Sequence, residues 1–110
     1  MIKTVYLSYS SCPQSCWHII RAIALGQPSV ITLCKDKKRV TDNRRQSTKK
    51  LTSSPLYDRD EYPLACTYEG GACADVEYID QSDNRRAGAI IGYQLRGCPD
   101  GTKFRIVIVY

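Results

Sequence analysis

No apolar run in this 110-residue chain approaches the ~18 residues that a membrane-spanning helix requires, which excludes such a helix. Histidine, tryptophan and phenylalanine occur once each, as His18, Trp17 and Phe104. With one histidine and no Cys-x-x-Cys pair, the usual zinc spacings are missing. The opening residues, Met1 to Tyr6, lack the long apolar stretch of a secretory signal. Neither the composition of a disordered chain nor that of a collagen-like one is present. The length suits one domain, residues 1–110, with a modest core.

Cysteine, by contrast, is plentiful. Six residues (Cys12, Cys16, Cys34, Cys66, Cys73, Cys98) are an even and raised count for so small a domain, which predicts three disulfides and an oxidising compartment. Cys66 and Cys73 flank Glu69-Gly70-Gly71 and are plausible partners across that turn. The expectation is a secreted, extracellular protein in its mature form, with an added or retained Met1.

The net charge of +5 is unevenly placed. Between residues 35 and 50 lie Lys35, Lys37, Lys38, Arg39, Arg44, Arg45, Lys49 and Lys50 against Asp36 and Asp42. Eight of the eleven acids fall between Asp58 and Asp83, so a basic arm precedes an acidic centre. That layout serves an enzyme that attracts a polyanion and holds a metal ion against it. A solvated basic helix face would produce the arm alone.

Periodicity gives an α+β reading with a central, mostly antiparallel sheet and helices packed on it. Residues 4–10 alternate as a first strand, Ser15 can cap a helix through Trp17, Ile20, Ile23 and Ala24, and residues 29–33 form a short buried strand. Thr41-Asp42-Asn43 offers capping chemistry for a short polar helix over Arg44 to Lys50. Residues 74–79 alternate as a strand. Ser82 or Asp83 can cap a helix that Gly97 ends, and residues 104–110 suit a central closing strand. Asp-Asn-Arg-Arg occurs twice, at 42–45 and 83–86, and reads as two helix starts, since the flanks differ.

The stretch Tyr57-Asp58-Arg59-Asp60-Glu61-Tyr62-Pro63 carries the chemistry, with three carboxylates and a guanidinium at consecutive positions. On composition it is either a solvated turn or a divalent-metal and general-base centre. On the later helix, Asn84, Ala87, Ile91 and Gln94 share one stripe, so two amides occupy a face that should pack inward. Those amides lie roughly 15 Å apart along the axis, too far to hold one ion together. Gln94 is left with a backbone partner or an outer-sphere role. His18, near the start of the first helix, reads as a packing residue.

In order along the chain, Tyr57 to Pro63, Glu69-Gly70-Gly71, Ala74-Asp75-Val76, Ser82-Asp83-Asn84-Arg85 with Ala87-Gly88, and Pro99-Asp100-Gly101-Thr102 resemble the successive blocks of the NucA/NucB family of small secreted deoxyribonucleases. His18-Ile19 with Ala22-Ile23, and Arg44 to Ser47, are similar to it as well. The resemblance implies a reduced ββα-metal nuclease in which a carboxylate stands in for the histidine base. It carries the base role to Asp60, with Glu61 as alternative or metal support, and the metal amide to Asn84. Arg59, Arg85 and Gln94 become phosphate-binding or outer-sphere groups. The raised cysteine count, and Arg86 where a glycine is more usual, depart from the family's bacterial pattern.

The sequence thus predicts a metal-dependent, sequence-nonspecific endonuclease using one Mg²⁺ or Mn²⁺ ion, whose hard character suits oxygen ligands. DNA is the expected partner, held at its backbone by Lys35, Lys37, Lys38, Arg39, Arg44, Arg45, Lys49, Lys50 and Arg86. The protein is expected to be a monomer with no membrane or small-molecule cofactor, and an inhibitor protein is left open. Two rivals remain: a non-catalytic cationic secreted domain that binds DNA or kills microbes, and a nuclease acting mainly on RNA.

Overall fold

Val5 and Leu7, alternating with Thr4 and Tyr6, give strand β1 (Lys3–Ser8) one fully buried face. The computed structural model describes residues 1–49 and 51–110. Within them β1 is followed by α1 (Pro13–Ala24), β2 (Val30–Thr32), α2 (Lys37–Thr48), β3 (Tyr57–Tyr62), β4 (Asp75–Asp80), α3 (Gln81–Leu95) and β5 (Lys103–Val109). The α+β class and the β-α-β opening are as expected.

The sheet is divided rather than continuous. Three strands run in the order β1-β5-β2, and β3 pairs with β4 in a separate antiparallel hairpin. Across six residue pairs, from Lys3↔Phe104 to Ser8↔Val109, β1 and β5 are parallel. Only the short β2 lies antiparallel to β5. Strand β5 is central because it is the longest apolar strand and presents Phe104 and Ile106 to the same core as Val5 and Leu7. Ile19 and Ala22 of α1 cover that face, together with Ala87, Ile91 and Leu95 of α3.

All three helix starts differ from their sequence reading. Asp36 caps α2, its carboxylate accepting from the backbone N–H of Lys38 at 3.0 Å and of Arg39 at 3.4 Å. The helix therefore begins well before Thr41-Asp42-Asn43, and the two Asp-Asn-Arg-Arg copies occupy different contexts. Asn43 is mid-helix and its amide donates to the carbonyls of Ala65 and Thr67, which ties α2 to the loop after β3. Asp80, the last residue of β4, caps α3 by accepting from Ser82 and Asp83 N–H, so hairpin and helix join without a loop. Ser15, expected as a cap, is instead buried in the first turn of α1, which starts at Pro13.

The three predicted disulfides are not formed: all six cysteines are free thiols. Cys66 and Cys73 are not joined across their turn. Cys12 and Cys16 lie one helical turn apart, buried at the start of α1. Cys34 N–H donates to the Cys66 carbonyl at 2.8 Å, beside the bridge between Leu33 and Thr67. Cys12, Cys16 and Cys34 thus fill interior space as small apolar groups, Cys66 and Cys98 are partly buried, and Cys73 is exposed.

Candidate active site

The acidic stretch is a strand, which its composition concealed. In β3 successive side chains alternate in direction, so Asp58 and Asp60 point one way and Arg59 and Glu61 the other. Asp58 meets α3, where Asn84 Nδ2 donates to its Oδ2 at 2.9 Å and the Arg85 guanidinium approaches at 3.3 Å. Asp60 meets α1. On the opposite face the Arg59 guanidinium donates to the carbonyls of Thr48 and Leu51, holding the end of α2, and Glu61 lies 3.7 Å from Arg44. Among the described residues β3 pairs only with β4, so its other edge is open. A cleft of about 830 Å³ receives Asp58, Asp60 and Glu61 from β3, Asn84 from α3, and Lys35 and Arg44 from the basic segment. Ile91 and Leu95 contribute to its apolar wall.

His18 is the residue that sequence reasoning passed over. It is 1% exposed, with Nδ1 2.7 Å from Asp60 Oδ2 and Nε2 2.9 Å from Asp75 Oδ1. Two carboxylates on two ring nitrogens require both nitrogens to donate, which is the imidazolium form. Burial alone lowers the pKa of the ring, but the hydrogen bonds and charges of Asp60, Asp75 and Glu77 outweigh it and the net shift is upward. Burial raises the pKa of Asp60, and His18 opposes that rise without cancelling it.

Asp83 fixes the relative position of the two helices. It is 4% exposed, and its carboxylate accepts from the N–H of Gln14 and of Ser15, both at 2.9 Å, and from Ser15 Oγ at 2.6 Å. These donors lie in the first turn of α1, whose own N-cap residue, Cys12, supplies no side-chain cap. An anion from α3 therefore does the capping. Asp58, Asp75 and Asp83 were all present in the quoted motifs, yet only the strand register and the helix contacts give them partners.

Burial pushes Glu61 up to about 7, with the charge of Asp60 adding to the rise and Arg44 and Arg59 pulling back. A carboxyl raised in the folded state from 4.5 to about 7 stabilises the fold below pH 4.5 and loses that contribution as pH rises through 7. Metal-free protein should lose roughly 3 kcal/mol across this window, as read by urea melts at several pH values. In Glu61→Gln the same melts should lose the Glu61 share of this slope and keep the part that His18 and Asp60, both also shifted upward, contribute.

The other expected site residues are dispersed. Gln94 lies away from the carboxylates: its amide accepts from Tyr6 N–H at 2.8 Å and donates to the Tyr6 carbonyl at 2.7 Å, bracing α3 against β1. Arg86 donates to the Ser11 carbonyl, Arg45 pairs with Asp42 and Lys49 with Gln46. The Arg39 guanidinium stacks over Tyr68. Lys37 and Lys38 begin α2. Lys50 lies outside the described residues.

A divalent ion finds oxygen donors here, though no ready cage. Among the described residues no group of three or more His, Cys, Asp or Glu side chains is placed to hold a metal. Asn84 engages Asp58 through its amide nitrogen, and its oxygen has no donor among the described residues. Asn84 and Glu61 both line the cleft, from different faces of β3, and their oxygens are of the donor type that Mg²⁺ takes.

The β3–β4 hairpin thus runs directly into α3, a ββα arrangement with carboxylates and an amide gathered beside one cleft. The chain belongs to the deoxyribonuclease NucA/NucB family, whose model it matches over residues 16–107. It is also 44% identical over 96 residues to the DNA-entry nuclease of Bacillus subtilis (strain 168). That match covers 87% of this chain and 64% of the relative, so the chain spans less than two thirds of the relative's length.

Proposed function

We propose that this domain is a metal-dependent endonuclease that hydrolyses the phosphodiester bonds of DNA without sequence preference. The observation that carries the reading is the placement of Asp60, Glu61 and Asn84 on one cleft beside cationic Lys35 and Arg44. Carboxylates in a cleft repel a phosphodiester unless a cation stands between them. A purely DNA-binding cationic domain has no use for that arrangement, whereas a hydrolase does. Membership of a deoxyribonuclease family and the relative's name support the same class.

In this mechanism Asp60 takes the proton from the attacking water, using the carboxylate oxygen that His18 does not occupy. Asn84 and Glu61 would hold the divalent ion, which when bound supplies charge neutralisation for the phosphorane-like transition state. Arg85, exposed at the start of α3, and Arg44, at the rim, are placed to meet the phosphate backbone. Further along α2, Lys37 and Lys38 extend the positive surface away from the cleft.

Supercoiled plasmid incubated with Mg²⁺ or Mn²⁺ should be nicked, and EDTA should stop the reaction. Absence of metal-dependent nicking would overturn the proposal in favour of a binding domain. Cleavage should fall by about 10³-fold between 50 and 200 mM salt if some six phosphates are contacted. Parallel digestion of duplex DNA, single-stranded DNA and RNA distinguishes a deoxyribonuclease from a ribonuclease.

A further inference from the structure

We propose that His18 and Asp75 are positioning residues that aim the Asp60 carboxylate into the cleft. The inference rests on the role given to Asp60 above and adds the two groups behind it. At 1% exposure His18 cannot touch DNA, so any part it plays is exercised through its neighbours. It has two, and it spans them: Asp60 Oδ2 at 2.7 Å and Asp75 Oδ1 at 2.9 Å. A carboxylate on a strand can otherwise swing about both of its side-chain torsions. With one oxygen fixed by an imidazole that is itself fixed, the second is held in a single direction.

The surrounding packing makes this arm rigid. Asp83 anchors the first turn of α1 through three hydrogen bonds, one turn before His18. One turn after it, Arg21 forms an ion pair with Glu77, the residue directly across the hairpin from Asp60. Helix α1 is thus already fastened to β4 by an exposed ion pair. Fastening alone does not call for a second, buried set of charges, whose desolvation costs several kcal/mol per ion. Directing a carboxylate at the cleft wall does, because misplacement of a catalytic group by about 1 Å can cost 100-fold in rate.

The two amide replacements of histidine separate positioning from fastening. Asparagine places its NH₂ near the position of Nδ1 and keeps a donor for Asp60; glutamine reaches the position of Nε2 and keeps a donor for Asp75. His18→Asn, which keeps the Asp60 contact but loses the Asp75 one, should lose about 10-fold in kcat, whereas His18→Gln should lose about 100-fold with KM unchanged. Asp75→Ala, at the partly exposed start of β4, retains His18 but frees its far side, and should lose about 10-fold in kcat alone. Circular dichroism checks that each variant is folded, and Asp75→Ala carries the test should either histidine variant unfold. Equal losses in folded His18→Asn and His18→Gln, or wild-type kcat in His18→Gln or Asp75→Ala, overturn the proposal. Asp60→Asn in the same assay tells the two readings apart. If it is inactive while His18→Gln is fully active, positioning alone fails; if it is itself fully active, the base assignment falls and the proposal with it.

Discussion

Asp60→Asn should reduce DNA cleavage by about 10³-fold while leaving the fold and DNA binding close to wild type, because a positioned general base contributes roughly 10² to 10⁴. The fold should survive because the asparagine oxygen can still accept from His18 Nδ1, and Asp60 makes no other side-chain hydrogen bond among the described residues. Binding should survive because the cationic groups at the rim, Lys35 and Arg44, are untouched. Single-turnover rates, with affinity measured separately at the same salt, separate these effects. Glu61→Gln is the necessary companion, since Glu61 lines the same cleft and is pushed up to about 7, near the pH at which a base works well. If Asp60→Asn cleaves like wild type and Glu61→Gln does not, the base is Glu61.

The largest loss of stability from a single polar substitution should come from Asp83→Ala. Its carboxylate receives three hydrogen bonds from the start of α1, and deletion leaves those donors buried and unpaired. A cost of about 3–4 kcal/mol is expected, or roughly 15–25 °C in Tm for a domain of this size. Asp83→Asn, which keeps an acceptor oxygen but no charge, should lose about half as much. As a contrast, Asp42→Ala breaks the exposed pair with Arg45 and should change stability by less than about 1 kcal/mol. Thermal melts of the three variants check the order. An Asp83→Ala protein as stable as Asp42→Ala would show that α1 does not depend on its cap from α3.

The elements that the sequence disclosed are those with an unmixed pattern. Val5 and Leu7, the Ile and Ala spacing of α1, and Phe104 with Ile106 each announce their buried face, and the helix bearing Asn84 is bounded as expected by Gly97. Strand β3 was hidden because it carries four charged residues in six, and only pairing with β4 and cover from helices on both faces make a strand of it. Helix α2 began early because its cap, Asp36, stands inside a run of lysines and looks like one more surface charge. The candidate site divides in the same way. Asp60, Glu61 and Asn84 follow from motif order, but His18 finds its partners 42 and 57 residues away, and Ser15 meets Asp83 across 68. No local periodicity encodes such pairings. The cysteine count suggested covalent staples, and the structure holds free thiols, of which Cys12, Cys16 and Cys34 serve as buried packing.

Strand β5 is the middle of its sheet, yet it comes last. Among the described residues neither β1 nor β2 has a strand partner in this sheet other than residues 103–109, and Lys3 must wait for Phe104. Closing so long a loop before the sheet contact rewards it slows folding relative to a helical bundle, whose contacts are local. Until β5 is in place, α1 lacks the sheet it rests on. Assembly is timed by the final strand.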